Sequence, residues 1–140
     1  MSGPSTDAFT HRQIIALSQV DAAGILYFAR LFEICHLAFE HWLIDEGLPL
    51  LAGLGESDEL MPIVHAEADY RSPLRLGHVI DVAVQVEATG QSSITFGFRV
   101  TTQGRLAAVA RHVHVAIDKA DFRSRPLPDA ILGLAKGEQP

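Results

Sequence analysis

Three stretches of this chain alternate apolar and polar side chains with a period of two. Val64, Ala66, Ala68 and Tyr70 alternate with His65, Glu67, Asp69 and Arg71; Ile80, Val82, Val84 and Val86 alternate with Asp81, Ala83, Gln85 and Glu87. Past a turn at Gly90, Ile94, Phe96, Phe98 and Val100 alternate with Thr95, Gly97, Arg99 and Thr101. Successive side chains of a strand point to opposite faces, so each stretch predicts a strand with one buried face. Gln103-Gly104 predicts a turn into a last strand, Arg105 to Asp118. Phe9 to Leu17, with Ile14, Ile15 and Leu17 apolar, predicts a first one.

Between the first strand and the others the period lengthens. Phe28, Leu31, Phe32, Cys35, Ala38, Phe39, Trp42 and Leu43 predict a helix from about Ile25 or Tyr27 to Glu46, with Glu33, His36 and Glu40 spaced along one face. Apolar side chains occupy most of its circumference, so most of it is expected to be buried. Gly47 with Pro49 is a stop signal, and Leu50 to Met61 reads as a loop or short helical connection. One strand, a long helix and four strands joined largely by short turns define an α+β arrangement. A curved antiparallel five-stranded sheet wrapped around one central helix, the hot-dog fold, is the simplest way to bury such a helix. An exposed strand edge and a one-helix core favour oligomers, with the sheet continuing or stacking across subunits.

At 140 residues and 48% hydrophobic content the chain is expected to form one domain, 1–140, with a core at about 9–118 and a mixed tail at 119–140. A short helix is expected in that tail, around Pro128 to Ala135. The net charge of −6 argues against a general nucleic-acid or anionic-membrane surface. The lone Cys35 lies in the apolar helical run, which excludes an intrachain disulfide and reads as a buried, inert thiol. MSGPSTDAF lacks a basic region followed by an apolar stretch, and no run is long enough to cross a bilayer, so the expected location is cytoplasmic.

The candidate chemistry centres on Asp21 and Gly24, just before the long helix. A helix N-terminus offers unpaired N–H groups and a positive dipole end, which stabilise the oxyanion formed when a carbonyl is attacked. Asp21 could equally be a helix cap. Ala22, Ala23 and Gly24 are small, however, and leave room for a ligand. There is no G-x-S-x-G elbow, P-loop or dinucleotide glycine fingerprint. His112 and His114 lack clear third and fourth metal ligands, and read as solvent or interface histidines.

The segment Asp21 to Tyr27, DAAGILY, resembles the signature loop of hot-dog thioesterases of the 4-hydroxybenzoyl-CoA thioesterase class. The helix, Gly47-Leu48-Pro49, Met61-Pro62-Ile63-Val64 and Tyr70-Arg71-Ser72-Pro73 are similar to family positions, so the resemblance covers about Phe9 to Asp118. Within the class, DAAGILYFARLFEICHLAFE looks most like the enzymes that release 1,4-dihydroxy-2-naphthoate from its CoA ester in phylloquinone biosynthesis. The resemblance implies hydrolysis of that ester. The alternative substrates are 4-hydroxybenzoyl-CoA or a general short or aryl acyl-CoA.

It also implies roles for residues. Asp21 matches the catalytic carboxylate, acting as nucleophile through an acyl-enzyme anhydride or as general base on water. The backbone N–H of Phe28 matches the oxyanion donor, and Gly24 keeps the loop tight. His36 matches a position that contacts an aryl hydroxyl, although Glu33 or Glu40 could instead satisfy it as a buried histidine. Tyr27, Phe32, Met61, Pro62 and Ile63 are pocket-lining candidates or plain core. The family's basic cluster for the CoA phosphates aligns with Ala88 to Ser93, which holds no Arg or Lys. Arg71, Arg75 and Arg111 are the phosphate candidates. Arg111 interrupts the register of Val109, Val113 and Val115 and calls for a phosphate, a subunit partner or a buried carboxylate. CoA is part of the substrate, so no separate cofactor or metal is implied; the implied assembly is a tetramer built from dimers. Two other classes remain: a non-catalytic acyl-binding module, with Asp21 a mere cap, and a hot-dog dehydratase, for which the DAAG loop supplies no adjacent histidine.

Overall fold

The alternating segments pair into one antiparallel sheet. The structure is a computed structural model that describes residues 8–48 and 58–136. In chain order its elements are β1 (Phe9–Ile14), α1 (Arg30–Asp45), β2 (Glu59–Leu60), β3 (Ile63–Tyr70), β4 (Val79–Thr89), β5 (Ser93–Thr102), β6 (Arg105–Val115), β7 (Ile117–Asp118) and α2 (Asp129–Lys136). Five strands run in the order β1-β4-β5-β6-β3, and β2 with β7 forms a separate two-stranded ladder.

Register decides which side chains meet. Val82 lies opposite Val100, Val84 opposite Phe98 and Val86 opposite Phe96, and the row continues into β6, where Phe96 meets His112 and Phe98 meets Ala110. Against this inner face α1 buries Leu31, Ile34, Cys35, Ala38, Phe39, Trp42 and Leu43, a three-four spacing that forms one helical stripe. The Phe39 ring centroid is 4.6 Å from that of Phe96, and Trp42 meets Phe96 edge-on at 6.0 Å. Cys35 is fully buried, and desolvation pushes its thiol up to about 12, so it stays protonated and inert at neutral pH.

α1 ends in a Schellman motif. Gly47 has φ +75°, its N–H donates to the Ile44 carbonyl at 3.0 Å, and the Leu48 N–H donates to the Leu43 carbonyl at 2.8 Å. The expected stop at Gly47 is present, while Pro49 lies outside the described residues. α2 coincides with the short helix expected near the C-terminus and packs Ile131, Leu132 and Leu134 against the core.

Several expectations are corrected. α1 begins at Arg30 rather than at Ile25 or Tyr27, because Val20 and Leu26 form an antiparallel bridge that makes the intervening residues a loop. Its buried surface is one stripe, not most of its circumference, with Glu33, Leu37, His41 and Ile44 exposed. β1 stops at Ile14 and a 3-10 turn, Leu17–Gln19, takes up Leu17. The last strand is broken at Ala116, where the chain leaves the main sheet and pairs Leu60 with Ile117. Of the connection from Leu50 to Met61, residues 50–57 lie outside the described residues, and Glu59–Leu60 is strand.

β3 pairs with β6 rather than with its sequence neighbour β4, so it forms an edge. Its side chains are exposed along nearly its whole length, including Ile63 and Val64, which means that α1 leaves this strand uncovered. Phe96 stands at the centre of the covered region. Phe96→Ala is expected to cost about 3–5 kcal/mol of folding stability, from lost burial plus a residual cavity. Urea unfolding checks this: the midpoint should fall with little change in slope.

Candidate active site

The loop from Asp21 to Ile25 is closed by hydrogen bonds of its own. The Asp21 N–H donates to the Ile25 carbonyl at 2.9 Å and the Gly24 N–H to the Asp21 carbonyl at 3.0 Å, with Gly24 at φ +76°. That left-handed conformation is strained for any residue with a Cβ. The carboxylate reinforces the loop, its Oδ1 accepting from the Ala23 N–H at 2.9 Å and the Ile25 N–H at 3.2 Å. Asp21 therefore caps a loop and not α1, contrary to its expected place at the helix N-terminus. Both bonds fall on Oδ1, and the residue is exposed, which leaves Oδ2 outside them.

The loop is fastened to its surroundings by the Leu26 N–H on the Leu74 carbonyl at 2.7 Å, the Leu76 N–H on the Gly24 carbonyl at 3.0 Å and the Tyr27 N–H on the Gln19 carbonyl at 2.9 Å. Tyr27 to Arg30 then forms the turn that opens α1, with the Arg30 N–H on the Tyr27 carbonyl at 2.8 Å. The N–H groups of Phe28 and Ala29 donate to no other described residue, as expected at a helix start. The Tyr70 hydroxyl donates to the Phe28 carbonyl. Burial, with Cys35 a lesser cause, pushes this phenol up to about 12, so it remains a donor at neutral pH. Tyr70 was not singled out as a site residue from sequence, because its position in an alternating strand marks it as ordinary core.

A groove of about 450 Å³ runs beside this turn, lined by Ile25, Leu26, Phe28, Tyr70, Arg71, Ser72, Pro73 and Leu74. Ile25 both binds the Asp21 carboxylate and lines the groove, so the carboxylate sits at its margin. Of the expected site residues, Phe28 and Arg71 line this groove. Tyr27 is exposed, with its ring 4.9 Å from that of Phe28.

Phe32, His36, Met61 and Ile63 converge instead on a second group around β6. Phe32 lies 5.9 Å from His112 and His36 lies 6.4 Å from His114 between ring centroids. The His114 Nδ1 is 2.9 Å from the Met61 carbonyl, and Ile63 is directly opposite His114 in the sheet. Pro62 is exposed and accepts from the Val115 N–H at 3.1 Å. His36 Nδ1 pairs with Glu40 at 3.1 Å, while Glu33 pairs with Arg30. His112 and His114 are 1% and 3% exposed, which overturns their reading as solvent or interface residues. Among the described residues, both ring nitrogens of His112, and Nε2 of His114, have no hydrogen-bond partner. Among the described residues no group of three or more His, Cys, Asp or Glu is arranged to hold a metal ion.

Arg111 points away from α1 and its Nε donates to Glu87 at 2.5 Å, so its partner is a carboxylate, but one on the exposed outer face rather than a buried one. Gly97 makes this possible: a Cβ there would meet the Glu87 carboxylate at 2.1 Å. Arg71 and Arg75 are both exposed. No helix among the described residues is long and apolar enough to cross a membrane.

Fold and site together define a hot-dog thioesterase. The pattern of the thioesterase-like superfamily matches residues 15–134, and the chain belongs to that superfamily. It is 33% identical over 132 residues to a 1,4-dihydroxy-2-naphthoyl-CoA hydrolase from Rippkaea orientalis, covering 92% of this chain and 96% of that one. A relative of the same description from Synechococcus elongatus is 29% identical over 124 residues, 88% of this chain and 91% of its own length. A crystal structure of a 1,4-dihydroxy-2-naphthoyl-CoA thioesterase from Synechocystis superposes with a TM-score of 0.87 at 27% identity, covering 92% of this chain and 96% of that one. These relatives are thioester hydrolases, and this chain is an enzyme of that class.

The buried histidines carry a pH dependence. Desolvation, then the proximity of His114 and His36, lowers His112 from 6.5 to about 4. The unfolded chain takes up this proton near pH 6.5 and the native protein resists it until about pH 4. The stabilisation is therefore complete above the upper value and is lost as pH falls through the window, amounting to about 3 kcal/mol. Urea midpoints measured across that window should fall steeply for the native sequence and much less for His112→Leu; parallel curves would contradict this assignment.

Proposed function

We propose that this chain hydrolyses 1,4-dihydroxy-2-naphthoyl-CoA to 1,4-dihydroxy-2-naphthoate and CoA. The observation that carries the reading is the activity shared by relatives that match about nine-tenths of the chain. The exposed Asp21 carboxylate beside an apolar groove, and two amides with no partner among the described residues, support it.

In this reading the thioester carbonyl oxygen sits on the Phe28 N–H, which stabilises the oxyanion as the carbonyl carbon becomes tetrahedral. Asp21 acts by one of two routes. Its Oδ2 attacks the carbonyl carbon, the C–S bond breaks to release the CoA thiolate, and water then hydrolyses the anhydride. Alternatively Asp21 takes a proton from the water that attacks directly. Gly24 keeps the loop closed, and the Tyr70 hydroxyl holds the first turn of α1 in place. Tyr27, Phe32, Met61, Pro62 and Ile63 flank the acyl end, with His36 offered to a ring hydroxyl. Arg71 and Arg75 serve the CoA phosphates. Arg111, held by Glu87, is less free to do so.

Asp21→Asn tests the chemistry with little structural cost, because the amide oxygen can still accept from Ala23 and Ile25. Thiol release from naphthoyl, hydroxybenzoyl, benzoyl and aliphatic CoA esters should favour the dihydroxynaphthoyl ester. The variant should lose about 10²–10⁴-fold in kcat at an unchanged unfolding midpoint. Preference for the hydroxybenzoyl ester would move the assignment to that substrate, and undiminished activity in the variant would reduce Asp21 to a loop cap.

The uncovered β3 edge, with Ile63 and Val64 exposed, supports a second copy of the chain as partner, two such dimers forming a tetramer. Val64→Lys should shift the sedimentation coefficient toward that of the single chain, since a charge on a paired edge opposes association. An unchanged coefficient would place the interface elsewhere.

A further inference from the structure

We infer that His112, assisted by His114, is a specificity residue that binds the hydroxyl of the acyl ring farthest from the thioester. The inference rests on the substrate class proposed above and adds a recognition element to it.

The inner face of β6 presents Ala108, Ala110, His112 and His114 in succession, and β3 lies beside it with Tyr70 opposite Ala108, Ala68 opposite Ala110 and Ala66 opposite His112. Tyr70 touches Phe28, where the thioester carbonyl is placed. From Tyr70 to Ala66 is four residues of strand, about 13 Å, which a naphthoyl thioester and the side chains at either end can span. Phe32 and His36 of α1 face this stretch, with ring centroids 5.9 Å from His112 and 6.4 Å from His114, and Tyr70, Ala68 and Ala66 of β3 beside it are exposed or half-buried. The stretch runs from the Phe28 and Ala29 amides to the imidazoles of His112 and His114, which lack full partners among the described residues.

His112 is the observation that points to a ligand. A neutral imidazole carries one donor and one acceptor, and in His112 neither has a partner among the described residues although the residue is only 1% exposed. Its ring is held between Phe98, 4.7 Å away, and Phe32, 5.9 Å away, neither of which can hydrogen-bond to it in the ring plane. His114 is half satisfied: Nδ1–H donates to the Met61 carbonyl, so Nε2 is the unprotonated nitrogen and an unused acceptor. Together the two rings offer two acceptors and one donor among otherwise apolar neighbours. A phenolic hydroxyl supplies both a donor and an acceptor and fits that set. An unhydroxylated ring or an alkyl chain would leave these nitrogens unpaired, so the site selects against such esters.

The test compares kcat/KM for 1,4-dihydroxy-2-naphthoyl-CoA and for 1-hydroxy-2-naphthoyl-CoA, which lacks only the distal hydroxyl. The native protein should favour the first by about tenfold or more. His112→Leu should bring the ratio to near unity by lowering the first value alone, and His112→Gln, which keeps a donor and an acceptor, should retain part of the preference. An unchanged ratio in His112→Leu, or an equal fall for both esters, would overturn the inference and leave His112 a structural residue. Should the variants not fold, imidazole ¹⁵N resonances of the native protein give the answer. Those of His112 should move on adding 1,4-dihydroxy-2-naphthoate and stay put with 1-hydroxy-2-naphthoate; the same response to both would overturn it. Native activity on aliphatic esters alone would instead defeat the proposed substrate, and this inference with it. Naphthoyl preference with an unaltered ratio defeats this inference only.

Discussion

The seating of α1 on the inner face of β4, β5 and β6 is the constraint on which everything else depends. Phe39 and Trp42 lock onto Phe96, and with Leu31, Ile34 and Cys35 buried along the same stripe the helix has no freedom to roll. Fixing the axis fixes the N-terminal end. Phe28 is carried out of the core to a position where the Tyr70 hydroxyl reaches its carbonyl, and where its own N–H, beside the groove, has no partner among the described residues. The core thus sets, through α1, where the turn from Tyr27 to Arg30 sits.

The same seating leaves β3 uncovered. α1 packs on β1 and β4 and, through Phe32, Phe39 and Trp42, on β5 and β6, while β3, last in the order β1-β4-β5-β6-β3, lies beyond its reach. The edge carries exposed Ile63 and Val64 and lies beside the strand whose inner face holds His112 and His114. The side chains of Ala66, Ala68 and Ala110 there are small.

Much of this was legible in the sequence. Period-two alternation located β3, β4 and β5, and the spacing from Leu31 to Leu43 located the buried stripe of α1. Strand order was not legible, since alternation says which face a residue takes and nothing of which strand lies beside it. The start of α1 was misplaced because Ile25, Leu26 and Phe28 continue the apolar spacing into a segment whose backbone is committed elsewhere by the Val20–Leu26 bridge. The phase of β6 was misread as well. Val109, Val113 and Val115 look like the buried set with Arg111 as the exception, but pairing with β5 turns Ala108, Ala110, His112 and His114 inward. The valines are half-buried on the outer face, so Arg111 is in its proper place and the histidines are the exceptions. The signal was present in the small alanines in phase with the histidines, and it is outweighed by valine in any reading based on hydrophobicity alone.

Burying two imidazoles without full partners costs stability, about 1–3 kcal/mol for each unpaired group, and a packed apolar alternative would fill the same space. The neighbours do not remove that cost: Phe96, Phe98 and Phe39 surround the rings and offer no acceptor in the ring plane. A polar set kept unpaired in an apolar wall is costly in the empty protein and favourable only when something polar arrives. A hydroxyl-bearing ring gains its hydrogen bonds there without competition from water, whereas a bare ring gains only contact area. Selectivity for a hydroxylated acyl group and acid lability of the fold thus have one origin, the low dielectric around His112, which disfavours a proton and an unpaired nitrogen alike.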